Sequence, residues 1–286
     1  MYDDVLVGVD GSEPAATAYE RALALAVDHG ARLHTLYVAD TNRDSVTTVS
    51  GEVVDTLETE GERVLAEFEE RAAETSVEQV TEVLQGDPAT TIEEYASQES
   101  IDLIVLGKSG KRSVERVLLG SVTERVVRST PVPTLTVQGD DDHGRYPFEV
   151  VLAATDGSAA ADAGVDHAAR LAAAHGATLH VLSVAEPSGL DLGEADVSDD
   201  LLAECESVVA DGAAVAADRG VETTVEAVET GTPHRAVREY AREHDADLVV
   251  IGAHGQRGFE DRLLGGTTEK LLRTVSLPVL TTRGED

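Results

Sequence analysis

Short apolar runs alternate along the chain with longer segments in which apolar residues recur every three or four positions, the respective signatures of buried strands and amphipathic helices. Asp4 to Val9 reads as a strand, Ser12 to Asp28 as an Ala-rich helix capped by Ser12 and stopped at Gly30, and Arg32 to Val38 as a second strand. A helix near Glu52 to Glu74 and a strand near Glu78 to Gln85 follow. The next helix spans about Pro88 to Gln98, with Pro88 early, where its missing N–H is harmless. Leu103-Ile104-Val105-Leu106 is continuously apolar and predicts a strand covered on both faces. A last helix around Val114 to Arg128 leads through Pro131-Val132-Pro133 into a final strand, Thr134 to Val137. Five strands joined by helices predict a mainly parallel, doubly wound α/β sheet.

The pattern is then written a second time. Val9-Asp10-Gly11-Ser12 is matched by Thr155-Asp156-Gly157-Ser158 at an offset of 146 residues, and His29-Gly30-Ala31 by His175-Gly176-Ala177. Asp102-Leu103 is matched by Asp247-Leu248 at an offset of 145. Near the end of each copy, Arg112, Glu115, Leu118, Leu119, Gly120, Thr123, Glu124 and Arg128 correspond to Arg257, Glu260, Leu263, Leu264, Gly265, Thr268, Glu269 and Arg273. Val150 to Thr155, Ser158 to His175 and Thr178 to Val184 repeat the opening strand, helix and strand. The expected organisation is two domains, 1–139 and 147–286, with the polar segment 140–146 as linker.

Composition narrows the partners. Of 286 residues, 55 are Asp or Glu and 22 Lys or Arg, a formal charge of −33 that disfavours binding to nucleic acid or to anionic membranes. Only Lys108, Lys111 and Lys270 are lysine, which leaves 19 arginines, and aromatic residues are few. This balance points to a salt-adapted proteome, because at molar salt the Debye length is about 3 Å and self-repulsion is screened. Neither a membrane-length apolar stretch nor a signal-peptide pattern is found, so a cytoplasmic location is expected. Cys205 is the single cysteine; it forms no internal disulfide and reads as a small core residue.

The candidate chemistry lies after the apolar fourth strand. There the chain reads Gly107-Lys108-Ser109-Gly110, nine residues, then Gly120-Ser121, and again Gly252-Ala253-His254-Gly255, nine residues, then Gly265-Gly266. Main-chain N–H groups reach a phosphate only where no Cβ obstructs, and glycine also permits positive φ in the turn after a strand. The helix after Gly120 offers free N-terminal N–H groups and a favourable dipole to an anion, and Ser121 adds a hydroxyl. In open parallel sheets a ligand lies beyond the carboxyl ends of the strands, where Asp10 and Asp156 also stand.

Gly-x2-Gly-x9-Gly-Ser joined to an early Val-Asp-Gly-Ser resembles the ATP-binding class of the universal stress protein family, here as a tandem pair across the whole chain. The resemblance implies two Rossmann-like domains of the adenine nucleotide alpha hydrolase-like kind, each with a five-stranded sheet, holding ATP, ADP or AMP. By that resemblance Asp10 faces base and ribose, the backbone at Val38 reads the adenine edge, and Gly107, Gly110, Gly120, Ser121 and Val122 hold ribose and phosphates. In the second copy the corresponding residues are Asp156, Val184, Gly252, Gly255, Gly265 and Gly266. Gly266 lacks the expected serine hydroxyl, for which Thr267 is the nearest substitute. Mg²⁺ would accompany ATP through phosphate oxygens and water. Family members pair through their last strands, which implies either pairing between the two domains or a homodimer; the regulatory partner is not identified.

Lys108 and Lys111 fall in the first loop and suggest that the first site binds a triphosphate more tightly. Gly107-Lys108-Ser109 is not a Walker motif, since the glycine required five residues earlier is Asp102. The histidines show no metal spacing, and His254 alone sits in a glycine loop. No base or water-orienting group for phosphoryl transfer is assignable, so a nucleotide-binding sensor or regulatory module is favoured over a slow ATPase or an interaction protein with vestigial sites.

Overall fold

A computed structural model describes residues 1–40, 46–49, 52–108, 119–139, 144–187, 197–255 and 264–284. The chain divides into two compact α/β units. In the first, β1 (Asp4–Val9), α1 (Glu13–His29) and β2 (Arg32–Asp40) are followed by a small hairpin, β3 (Val46–Val49) and β4 (Glu52–Asp55). Then come α2 (Thr56–Ala72), β5 (Gln79–Gly86), α3 (Pro88–Gln98), β6 (Leu103–Gly107), α4 (Ser121–Ser129) and β7 (Thr134–Val137). The second unit runs β8 (Val150–Ala154), α5 (Ala159–His175), β9 (Thr178–Ala185), α6 (Asp199–Asp218), β10 (Thr224–Thr230), α7 (Pro233–Glu243), β11 (Leu248–Gly252), α8 (Gly266–Thr274) and β12 (Val279–Thr282).

The five main strands of the first unit are ordered β5-β2-β1-β6-β7 and those of the second β10-β9-β8-β11-β12. Every pairing along both runs is parallel. The chain moves outward from β1 through β2 to β5, then returns to the other side of β1 for β6 and β7. The direction therefore switches between β1 and β6, and between β8 and β11, where doubly wound sheets open a crevice. The middles of the central strands are apolar: Val5, Leu6, Val7, Leu103, Ile104 and Val105 have no accessible surface.

Two expected boundaries move. The helix expected from Glu52 begins at Thr56, because Glu52–Asp55 pairs antiparallel with Val46–Val49. Val46, Thr47, Thr48, Val49, Val53 and Val54 are β-branched, which favours a hairpin over an added helical turn. The helix expected from Val114 begins at Ser121, with Gly120 as its extended N-cap, and residues 109–118 lie outside the described residues.

Helix caps fall where expected. The hydroxyls of Ser12 and Ser158 accept from the N–H groups of Ala15 and Ala161, while Gly30 and Gly176 close α1 and α5 at φ 64° and 66°. The repeated Asp102 and Asp247 are also structural. Asp102 Oδ2 accepts from the N–H groups of Asp3 and Asp4 at 2.7 and 3.0 Å, and Asp247 Oδ2 from Glu149 and Val150 at 2.9 and 3.0 Å. Each carboxylate ties the start of its unit's first strand to the start of the fourth. Gly144 and Arg145, expected in the linker, dock on the second unit, where the Arg145 N–H donates to Asp247 Oδ1 at 3.1 Å.

The strand-end glycines have a packing role. A Cβ on Gly107 would lie 2.5 Å from the carbonyl carbon and oxygen of Pro14, and one on Gly252 would lie 2.8 Å from backbone atoms of Ala160 and Ala161. Gly139 and Gly284, just beyond the fifth strands, press on the same helix starts. Gly107→Ala and Gly252→Ala are expected to destabilise their units by about 2 kcal/mol or more, since backbone cannot retreat as a side chain can. Denaturant melts of both variants measure it; wild-type midpoints would contradict the packing role.

Candidate functional site

At the carboxyl end of β8 the chain turns through Thr155-Asp156-Gly157, with Gly157 at φ 72°. The Asp156 Oδ1 accepts from the Ser158 N–H at 3.1 Å, and Thr155 Oγ1 accepts from the Gly157 N–H at 3.1 Å. The carboxylate is thereby held at the start of α5. The first unit builds the same turn, with Asp10 Oδ1 accepting from Ser12 N–H at 3.0 Å and Gly11 at φ 75°. Positive φ thus belongs to the glycine after the aspartate. Gly107, Gly252, Gly255, Gly265 and Gly266 have none, which corrects the expectation of dihedral freedom at these five; Gly110 lies outside the described residues.

The end of β11 is fastened to the start of α8. Thr268 Oγ1 donates to the Gly252 carbonyl at 2.7 Å and the Gly265 N–H donates to the Ala253 carbonyl at 2.8 Å. Thr123 makes the equivalent bond to Gly107 at 2.9 Å. The α8 amino terminus is therefore fixed beside the end of β11, with its dipole toward the crevice.

Between these elements lies a cavity of about 760 Å³. All seven second-copy residues singled out from sequence, Asp156, Val184, Gly252, Gly255, Gly265, Gly266 and Thr267, line it. Gly255 is close enough to Asp156 that a Cβ there would sit 2.6 Å from Oδ2, whereas a Cβ on Gly266 would meet nothing within 4 Å. His254 lines the cavity half-buried, its carbonyl accepting from Ser158 Oγ at 3.4 Å.

Several lining residues were not foreseen. Leu201, Glu204, Cys205 and Val208 come from α6, Pro233 and Val237 from α7, and Lys270 from α8. Lys270 had a readable signal in the comparison of copies. Its counterpart Arg125 pairs at 2.8 Å with Asp87, the α3 N-cap, and with the Thr90 N–H holds that carboxyl down to about 2. The second copy has Thr232 in place of Asp87, so the cation turns to the cavity instead. His234 nearby is held below its ordinary pKa first by burial and then by Lys270, Arg235 and Arg238.

In the first unit Asp10 is exposed and Ser121, the first residue of α4, is exposed beside its N-cap Gly120. The side chains of Val38 and Val122 pack against a core cluster around Ile92, Tyr95 and Ile104. Gly110 and Lys111 lie outside the described residues. Lys108 does not stand in solvent: it has no accessible surface, and burial pushes its amine down to about 7.

That burial has a pH signature. Between about 7 and the ordinary 10.5 the folded chain holds fewer protons at Lys108 than the unfolded chain, so the penalty of burying the ammonium fades and stability rises with pH. Relative to Lys108→Met, the wild-type melting temperature is expected to climb between pH 7 and 9.5. A constant difference between the two proteins would contradict the buried amine.

Comparison with known proteins follows the two units. The Universal stress protein family model matches residues 1–138 and 147–283. A universal stress protein of Methanocaldococcus jannaschii is 34% identical over 141 residues, covering 48% of this chain and 83% of that protein. One from Mycolicibacterium smegmatis is 29% identical over 208 residues, covering 71% of this chain and 68% of its own length. The crystal structure of a universal stress protein from Archaeoglobus fulgidus superposes with a TM-score of 0.73 at 25% identity, covering 98% of both chains. A putative universal stress protein from Pseudomonas aeruginosa, at 21% identity and a TM-score of 0.70 over 99% of this chain and 94% of that one, shares the fold.

Proposed function

Because the chain belongs to the universal stress protein family, as a tandem of two such domains, we propose that it is an adenine-nucleotide-binding stress-response module whose second unit carries a nucleotide site in the cavity beside α8. One observation supports this most: the glycine-loop residues Gly252, Gly255, Gly265 and Gly266, the carboxylate of Asp156 and the start of α8 converge on a single cavity of about 760 Å³. That volume is within the usual range of about 300–1,000 Å³ for small-molecule sites. Base and ribose would lie toward Asp156 and Val184, and phosphates toward the free N–H groups at Gly266 and Thr267, where dipole and main-chain donors both favour an anion. Lys270 would add positive charge at that end, and His254 lines the same cavity. Mg²⁺ would be held mainly by phosphate oxygens and water. The work assigned to the site is binding, with the bound state changing contacts to a regulatory partner in the cytoplasm. The −33 charge suits a salt-adapted host, where such a surface is screened.

Titration calorimetry with ATP in high salt tests the assignment in an Asp10→Ala background, which leaves the second site alone. Adding Asp156→Ala is expected to weaken binding at least about tenfold, the loss of a hydrogen bond to a charged group. Adding Gly266→Ser, which has open space for its side chain, is expected to tighten it about fivefold by restoring a hydroxyl donor, worth ~1 kcal/mol. Binding that ignores both changes would place the nucleotide elsewhere.

A further inference from the structure

The two units differ beneath the proposed base-binding end, and the difference sits on one pair of positions. In β2, Tyr37 is buried against α2 so closely that a Cβ on Gly61 would lie 2.6 Å from its ring. The matching β9 residue, at the offset of 146, is Ser183, also buried and lining the cavity. The inward-facing positions Gly61, Val64, Leu65, Phe68 and Ala72 of α2 correspond in spacing to Cys205, Val208, Val209, Gly212 and Ala216 of α6. The residues at these matching positions have thus been exchanged, Tyr over Gly in one unit and Ser with Cys, both lining the cavity, in the other. A single sulfur does not refill the volume of a phenol ring, and the space remains open: Ser183, Leu201, Cys205 and Val208 all line the cavity. Nor does α6 stand off everywhere, since a Cβ on Gly212 would come within 2.8 Å of Val181. The opening is local to the amino-terminal half of α6.

We propose that Ser183 and Cys205 form a size-selective chamber at the base end of the second site, which takes adenine nucleotides bearing an apolar substituent on the base, and that Tyr37 closes the same place in the first. This rests on the nucleotide reading above. Ser183 precedes Val184, whose backbone would face the adenine edge, so a group carried on the base lies beside the chamber. Leu201, Cys205 and Val208 give it apolar walls, which favour an alkyl or aryl group over a charged one. Size selection by a packed aromatic is sharp because protein interiors do not yield to an inserted ring without cost.

The test uses ATP and N6-benzyl-ATP on the full chain, with Asp10→Ala isolating the second site and Asp156→Ala the first. The second site is expected to bind the benzyl analogue within about threefold of ATP, while the first binds ATP but rejects the analogue by at least about tenfold. Ser183→Tyr in the Asp10→Ala background is expected to lower the affinity for the analogue relative to ATP at least about tenfold. Rejection of the analogue by a second site that holds ATP would overturn the chamber. Absence of ATP binding at both sites would overturn the nucleotide reading and this inference with it. A readout without nucleotide separates the two. Cys205 is the only thiol, and its modification by a small methanethiosulfonate reagent is expected to slow at least about fivefold in Ser183→Tyr, because the ring covers it. Unchanged labelling would overturn the chamber independently. The comparison of the two aspartate variants alters nothing in the chamber, so it stands even where Ser183→Tyr fails to fold.

Discussion

Everything at the ligand edge depends on how closely the fourth strand of each unit approaches the start of the first helix. At Gly107 and Gly252 the two backbones leave no room for a Cβ, and Thr123 and Thr268 fasten the same glycine to the last helix. Strand, first helix and last helix are thereby locked around one point, just outside the carboxyl ends of a parallel sheet. The aspartate turn and the amino terminus of the last helix face each other because this junction fixes both. A glycine that looks made for a ligand is first a packing residue, and the cavity follows from the packing.

Much of this was legible in the sequence. Hydrophobic runs located the main strands, and the two copies confirmed one another's helix starts and stops through Ser12, Ser158, Gly30 and Gly176. The second-copy glycine positions fall together on one cavity because the junction that places them is local and repeated. What escaped notice depended on long-range contact. Nothing near Leu201, Cys205 or Val208 in the chain reveals that α6 walls the crevice, and Cys205 read as an ordinary core residue. The hairpin was missed because Glu52 to Asp55 merges with the helical pattern that follows it, and only pairing with Val46 to Val49 distinguishes the two.

Charge was the subtler case. Lysines beside the first glycine loop suggested a tighter first site, yet Lys108 is sealed from solvent, while Lys270 in the second copy lines the cavity. The physical reason is a change of neighbour: Asp87 holds Arg125 in one unit, and Thr232 offers Lys270 no carboxylate in the other. Duplication preserved the frame and altered the pairs attached to it. Tyr37 with Gly61, against Ser183 with Cys205, is the same process inside the core. Two units of one fold therefore carry chemically different side chains beyond the carboxyl ends of their sheets.

The central claim is that the second unit's cavity holds an adenine nucleotide with its phosphates at the start of α8. A crystal structure of the full chain grown with ATP in high salt tests it most directly. The account predicts density filling the space between Asp156 and Gly266, with phosphate oxygens within hydrogen-bond distance of the Gly266 and Thr267 N–H groups. An empty cavity at saturating ATP, or a nucleotide whose phosphates point away from α8, would contradict it.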